Sequence, residues 1–86
     1  GEGFRLRRIF VGDAACGQKL IRYYLLEHDI AGRTCYGIQV ETGNEKVAIP
    51  HITPSQVAVL ALAELLIRGC VTPVTARDVV EDWLLT

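Results

Sequence analysis

Eighty-six residues, half of them apolar and 22% charged, fit one globular domain with a small core and exclude a disordered chain. A formal charge of −1 leaves no overall field that would recruit nucleic acid or an anionic membrane. The charge is uneven: residues 1–40 hold six basic residues against four acidic ones, and residues 41–86 hold three against six.

No signal peptide is visible, because the basic N-terminus lacks an apolar segment with a small-residue cleavage site. The run Val57–Ile67 is too short to span a bilayer, which takes about 20 residues. Cys16, Cys35 and Cys70 are odd in number and widely spaced. That is neither a disulfide framework nor a paired-cysteine metal motif, so reduced thiols in a cytoplasmic protein are expected. There is no methionine, so Gly1 is not read as a translational start.

Phe4-Arg-Leu-Arg-Arg-Ile-Phe-Val alternates and then turns apolar, which predicts a first strand over about 4–11. Gly12 to Gly17 reads as a small-residue loop. Residues 19–28 are rich in aromatic and branched side chains and predict a second strand. A helix is the competitor there, since Leu20, Tyr23, Tyr24 and Glu27 also have helical spacing. Asp29–Arg33 reads as a turn, which places His28 opposite Thr34 and Glu27 opposite Cys35. A third strand follows over 34–42 and a fourth over 45–50, joined by the two-residue turn Gly43-Asn44. That turn puts Val40 opposite Val47, Ile38 opposite Ile49 and Glu41 opposite Lys46, with apolar pairs on one face and a charge pair on the other.

Thr53-Pro54-Ser55-Gln56 predicts a helix over 54–68, with Thr53 as N-cap, Pro54 at the first helical position and Gly69 as the stop. Its apolar arc covers roughly 220°, wider than the stripe of a one-sided surface helix. A second helix over 73–85 begins near Thr72-Pro73 or at Thr75. Ala76, Val79, Val80, Trp83 and Leu84 form its buried face.

Tyr23-Tyr-Leu-Leu-Glu27, Tyr36-Gly-Ile38, Ile52-Thr-Pro-Ser55, and Val71-Thr-Pro73 with Asp78-Val-Val-Glu-Asp-Trp-Leu84 together resemble a family of short uncharacterised proteins from clostridial Gram-positive bacteria. The resemblance covers most of residues 20–85 and leaves the first 18 aside. It implies a bacterial cytoplasmic setting and transfers no catalytic residue.

The chemistry-bearing side chains are sparse. Cys35 and His28 flank a turn and could pair a thiol with an imidazole. The expected register sets them diagonally, with no third orienting group, so no catalytic residue is assigned. Cys16, Cys70 and His51 come from three separate places and do not read as metal ligands. Asp78, Glu81 and Asp82 read as a solvated acidic face, with Arg77 pairing to Glu81. Arg5, Arg7 and Arg8 with Phe4 and Phe10 are the one electrostatic footprint for RNA or single-stranded nucleic acid. The second helix offers Arg77 and then acids, unlike a recognition helix. Gly12 and Gly17 do not form a phosphate-binding motif.

These readings predict an α+β fold of a single domain, residues 1–86. An antiparallel meander of three to four strands is followed by two C-terminal helices on one face. The expected core is Leu20, Tyr24, Leu26, Tyr36, Ile38, Val40, Val47, Ile49, Val59, Leu62, Leu66, Val79, Val80, Trp83 and Leu84. The expected function is a non-enzymatic protein-interaction or regulatory module that self-associates as a homodimer, without cofactor, metal or membrane. Its contact would form through Leu60 and Ile67 of the first helix, or through Ile21, Tyr23 and Leu25 on the uncovered sheet face. The alternative is a nucleic-acid accessory role through Arg5, Arg7 and Arg8, with a thiol enzyme at Cys35 and His28 behind it.

Overall fold

The computed structural model describes residues 4–86. Four strands form one antiparallel sheet in the order β1-β2-β3-β4: β1 (Phe4–Cys16), β2 (Lys19–Ile30), β3 (Arg33–Thr42) and β4 (Glu45–Thr53). Helices α1 (Gln56–Arg68) and α2 (Pro73–Leu85) follow and cover one face. This is the α+β meander that the alternating pattern predicts, with longer strands. Residues 12–16, expected as loop, continue β1.

All three hairpins close through two-residue turns. Gly17-Gln18 and Gly43-Asn44 each begin on a glycine at positive φ, 65° and 55°. Ala31 and Gly32 both take positive φ, 52° and 81°, as a type I′ turn requires. Val40 faces Val47, Ile38 faces Ile49 and Glu41 faces Lys46, as expected.

The β2–β3 register differs from expectation by one residue: Leu25 pairs with Ile38, Tyr23 with Val40, and His28 with Cys35. The cause is the turn. It is Ala31-Gly32, tighter than the expected Asp29–Arg33. A slip of one residue exchanges the faces of a strand. Ile21, Tyr23 and Leu25 therefore lie beneath the helices, 0%, 1% and 3% exposed, rather than on the uncovered face. Leu20 and Tyr24, expected in the core, point the other way, and Leu20 is 51% exposed.

The core closes where Ile21, Tyr23, Leu25, Ile38, Val40 and Ile49 of the sheet meet Val59, Leu62 and Leu66 of α1 and Ala76 and Val80 of α2. Tyr36, Val47, Val79 and Trp83 pack at its edge, half-buried, and Leu84 is exposed. Tyr23 sends its hydroxyl through the core to donate to the Val71 carbonyl, 2.8 Å away in the interhelix link. Burial pushes the Tyr23 phenol pKa above its usual 10.

Ser55, not Thr53, is the N-cap of α1: the Ser55 Oγ accepts from the Ala58 amide at 3.1 Å. Thr53 ends β4, and its hydroxyl accepts from the Ser55 amide. At the other end Gly69 has φ −88°, and Cys70 takes the left-handed position at φ 51°. The Val71 amide donates to the Leu66 carbonyl and the Cys70 amide to the Ile67 carbonyl, closing a Schellman-type end. Thr72 and Pro73 open α2.

Cys70 is disulfide-bonded to Cys16, the last residue of β1, which corrects the expectation of three reduced thiols. A spacing of 54 residues carries no signal in sequence; the pair exists because β1 runs five residues beyond its predicted end.

Candidate functional site

Two surfaces stand out. The first is the sheet face that no helix covers. Strand alternation and the β1–β2 register put Leu6, Arg8, Phe10, Leu20, Tyr24, Leu26, His28 and Ile30 there. Leu6 and Phe10 are 54% exposed and Ile30 is 44% exposed. The guanidinium of Arg8 lies 4.4 Å above the Tyr24 ring and donates to Glu41 Oε2 at 3.0 Å. Gln39, buried on this face, donates to the same carboxylate oxygen at 2.5 Å. Phe10 meets Tyr24 edge to face with centroids 5.6 Å apart.

The second surface is one end of that face, where β4 departs from regular pairing. Tyr36 pairs with Thr53 and Ile38 with Ile49, so the single residue Gly37 is opposed by Pro50, His51 and Ile52. A Cβ on Gly37 would stand 2.2 Å from the Ile49 carbonyl oxygen and 2.6 Å from Pro50 Cα. The β4 backbone thus crosses directly over position 37, which only glycine permits. The bulge carries His51, at φ 62°, across β3 to meet His28 on β2. Nδ1 of His28 and Nε2 of His51 are in direct hydrogen-bond contact. The ring centroids are 4.5 Å apart and the rings are inclined by 30°.

Cys35, the free cysteine, is the direct cross-strand partner of His28. Its thiol is turned toward the Thr53 carbonyl at 3.6 Å. His28, Cys35 and His51, with Ile30, Ala31, Arg33, Thr34 and Pro54, line an open hollow of about 530 Å³. A left-handed backbone at a residue such as histidine costs about 1–3 kcal/mol. A single hydrogen bond between two imidazoles returns about 0.5–1.5 kcal/mol. Over most of these ranges the contact alone does not offset the conformation that produces it. Bulges that re-aim a side chain are a recurring device at sites.

Sequence reasoning weighed Cys35 with His28 and set them diagonally; the structure makes them direct neighbours. It considered His51 with Cys16 and Cys70 and rejected them as metal ligands; the structure bonds the two cysteines to each other and brings His51 to His28. Gly37 drew no functional reading; a lone glycine inside a predicted strand was the available signal for a bulge. Among the described residues, no group of three or more His, Cys, Asp and Glu side chains is gathered to hold a metal ion.

The arginine footprint is divided. Arg7 pairs with Glu27 at 3.3 Å and Arg8 with Glu41 at 3.0 Å. Arg5 and Arg7 share the helix-side face with Asp29 and Glu27, their cross-strand partners, and Arg8 lies on the opposite face. The side chain of Phe4 is outside the described residues. Leu60 is 42% exposed on the outer side of α1. Ile67 leans on β1, where its Cδ1 would be 2.9 Å from a Cβ at Gly12. No described helix is long and apolar enough to cross a membrane.

With this geometry in hand, the comparison with known proteins places the chain in a family rather than beside an individual relative. It belongs to the Family of unknown function (DUF6514), whose model matches residues 10–86. The match takes in the second half of β1, beyond the segment where the sequence resemblance began. No curated protein and no solved structure matches the chain.

Proposed function

We propose that the protein is a non-enzymatic interaction module that works as a homodimer, with the uncovered sheet face as its contact. The observation that carries this is the row of large apolar side chains on that face, Leu6, Phe10, Leu20 and Ile30, each at least 44% exposed. A sheet face without a covering layer is where a soluble domain exposes apolar area, and such patches serve contacts.

A second copy of the chain fits this face better than a charged partner. Its charges are of both signs and are largely matched at home, Arg8 to Glu41, with Arg22 across from both Asp13 and Glu41. No single-sign field remains to select a partner of opposite charge. Four strands about 4.8 Å apart and about ten residues long present roughly 650 Å² in projection. A standard interface buries about 800 Å² per partner, so two such faces stacked back to back are of the right size. A two-fold axis through Phe10 and Tyr24 makes the patch meet itself and leaves the His28–His51 end at the rim.

Light scattering at micromolar concentration should report twice the 9.5 kDa chain mass. Phe10→Glu should return the mass to that of one chain, while Leu60→Glu should leave the dimer intact. A monomeric wild type, or a dimer broken by Leu60→Glu and not by Phe10→Glu, overturns this reading.

The setting retained is a clostridial Gram-positive cytoplasm, on the strength of the sequence resemblance. In a reducing cytoplasm the Cys16–Cys70 bridge would be held open, and thiol alkylation at the moment of lysis reads its state. The nucleic-acid alternative has less support, since Arg7 and Arg8 are engaged in ion pairs on opposite faces.

A further inference from the structure

We propose that His28 and His51 form a two-imidazole chelate for a borderline divalent transition-metal ion of the Cu²⁺, Ni²⁺ or Zn²⁺ class. Three features converge on it. Nδ1 of His28 and Nε2 of His51, from strands that are not neighbours, are turned directly at each other. The bulge opposite Gly37 and the left-handed backbone of His51 bring the second imidazole there. The hollow of about 530 Å³ beside the pair leaves room for the remaining ligands, water or a small anion.

The donor set selects the ion class. Neutral imidazole suits Cu²⁺, Ni²⁺ and Zn²⁺, whereas Ca²⁺ and Mg²⁺ require oxygen ligands. The two carboxylates adjacent in sequence to His28 are engaged elsewhere: Glu27 pairs with Arg7 at 3.3 Å, and Asp29 accepts from Thr34 Oγ1 at 2.5 Å. In the metal-free state the two facing nitrogens share one proton, one donating and the other accepting. When the ion binds, that proton moves to the far nitrogen of the donating ring, so each neutral imidazole coordinates through its facing nitrogen and carries its N–H on the other. The neutral pair releases no net proton, and acid weakens binding by competing for the ligating nitrogens. The site is separate from the centre of the proposed dimer contact and stands or falls without it.

The test uses the full chain carrying Cys35→Ser, so that the free thiol cannot supply the binding, with the Cys16–Cys70 bridge intact. Calorimetric titration with Cu²⁺, Ni²⁺ and Zn²⁺ should give one ion per chain, tightest for Cu²⁺, and no heat with Ca²⁺ or Mg²⁺. His28→Gln and His51→Asn should each weaken binding about tenfold or more. Asparagine tolerates the left-handed backbone at position 51, so the bulge survives in that variant. In NMR spectra, substoichiometric Cu²⁺ should broaden the ring signals of His28 and His51 before any others. Failure to bind, unchanged affinity in either histidine variant, or first broadening at another residue overturns the proposal. Repeating the titration on the Phe10→Glu variant should give the same affinity, and a loss of binding there would overturn the independence claimed from the dimer face.

Discussion

Gly37 lies beneath the Ile49 carbonyl so closely that a Cβ at position 37 would stand 2.2 Å from its oxygen. The atoms in the way are backbone, which cannot swing aside as a side chain could. Gly37→Ala must therefore push β4 off the sheet. We expect a loss of about 3 kcal/mol in denaturant unfolding, at the upper end of overpacking costs. Loss of the His28–His51 contact should accompany it in NMR spectra. A variant of wild-type stability with that contact preserved would show that β4 does not cross position 37.

Tyr23 supplies a prediction with a defined pH window. Its phenol pKa is raised by burial, so the folded state holds the proton after the unfolded chain has released it. Stability is therefore unaffected by this group below about pH 10 and falls as pH rises beyond it. Tyr23→Phe removes the hydroxyl that donates to Val71, leaves that carbonyl without its partner, and should cost about 1–2 kcal/mol at neutral pH. The same substitution should flatten the alkaline decline of the wild type. An unchanged alkaline slope would assign the decline to other groups.

Reduction of the Cys16–Cys70 bridge, or its replacement by Cys16→Ser with Cys70→Ser, releases a loop of 54 residues in the unfolded chain. The chain-entropy relation puts the loss at about 4 kcal/mol. Thermal unfolding with and without reductant measures it. Equal melting temperatures would show that the bridge does not form in solution.

Ala31 occupies the first position of a type I′ turn, where both central residues need positive φ and alanine pays for its Cβ. Ala31→Asn restores the Asn-Gly pair that such turns prefer and should stabilise by about 0.5–1 kcal/mol. Destabilisation would mean that the turn is of another type.

The same alanine marks where the fold stopped being legible. Gly43-Asn44 announces its turn, and the flanking valines, isoleucines and the Glu41–Lys46 pair confirm one another, so the β3–β4 register could be read directly. Ala31-Gly32 gives half the signal, and a turn misjudged in length exchanged the faces of β2. Nothing in β2 could correct the error, because Leu20, Tyr24 and Leu26 are as apolar as Ile21, Tyr23 and Leu25. Alternation identifies two faces, and only the tertiary question of where the helices settle decides which is covered.

The candidate site was less legible still. His28 and Cys35 were visible as neighbours of a turn, but their pairing depended on the register. His51 follows a proline and has no pattern that predicts a bulge. Its place is set by the missing side chain at Gly37, a contact between strands that no local window contains.

The cystine also fixes how the molecule would answer a pulling force. Tension applied between the two ends of the chain passes from Cys16 to Cys70 through the sulfurs, so residues 17–69 carry none of it. Only the first strand and the last helix can be drawn out. An unfolding motor that grips the C-terminus would extract α2 and then stall against a closed loop holding three strands and α1. For such a machine, a reductant becomes the switch between a brief tug and complete threading.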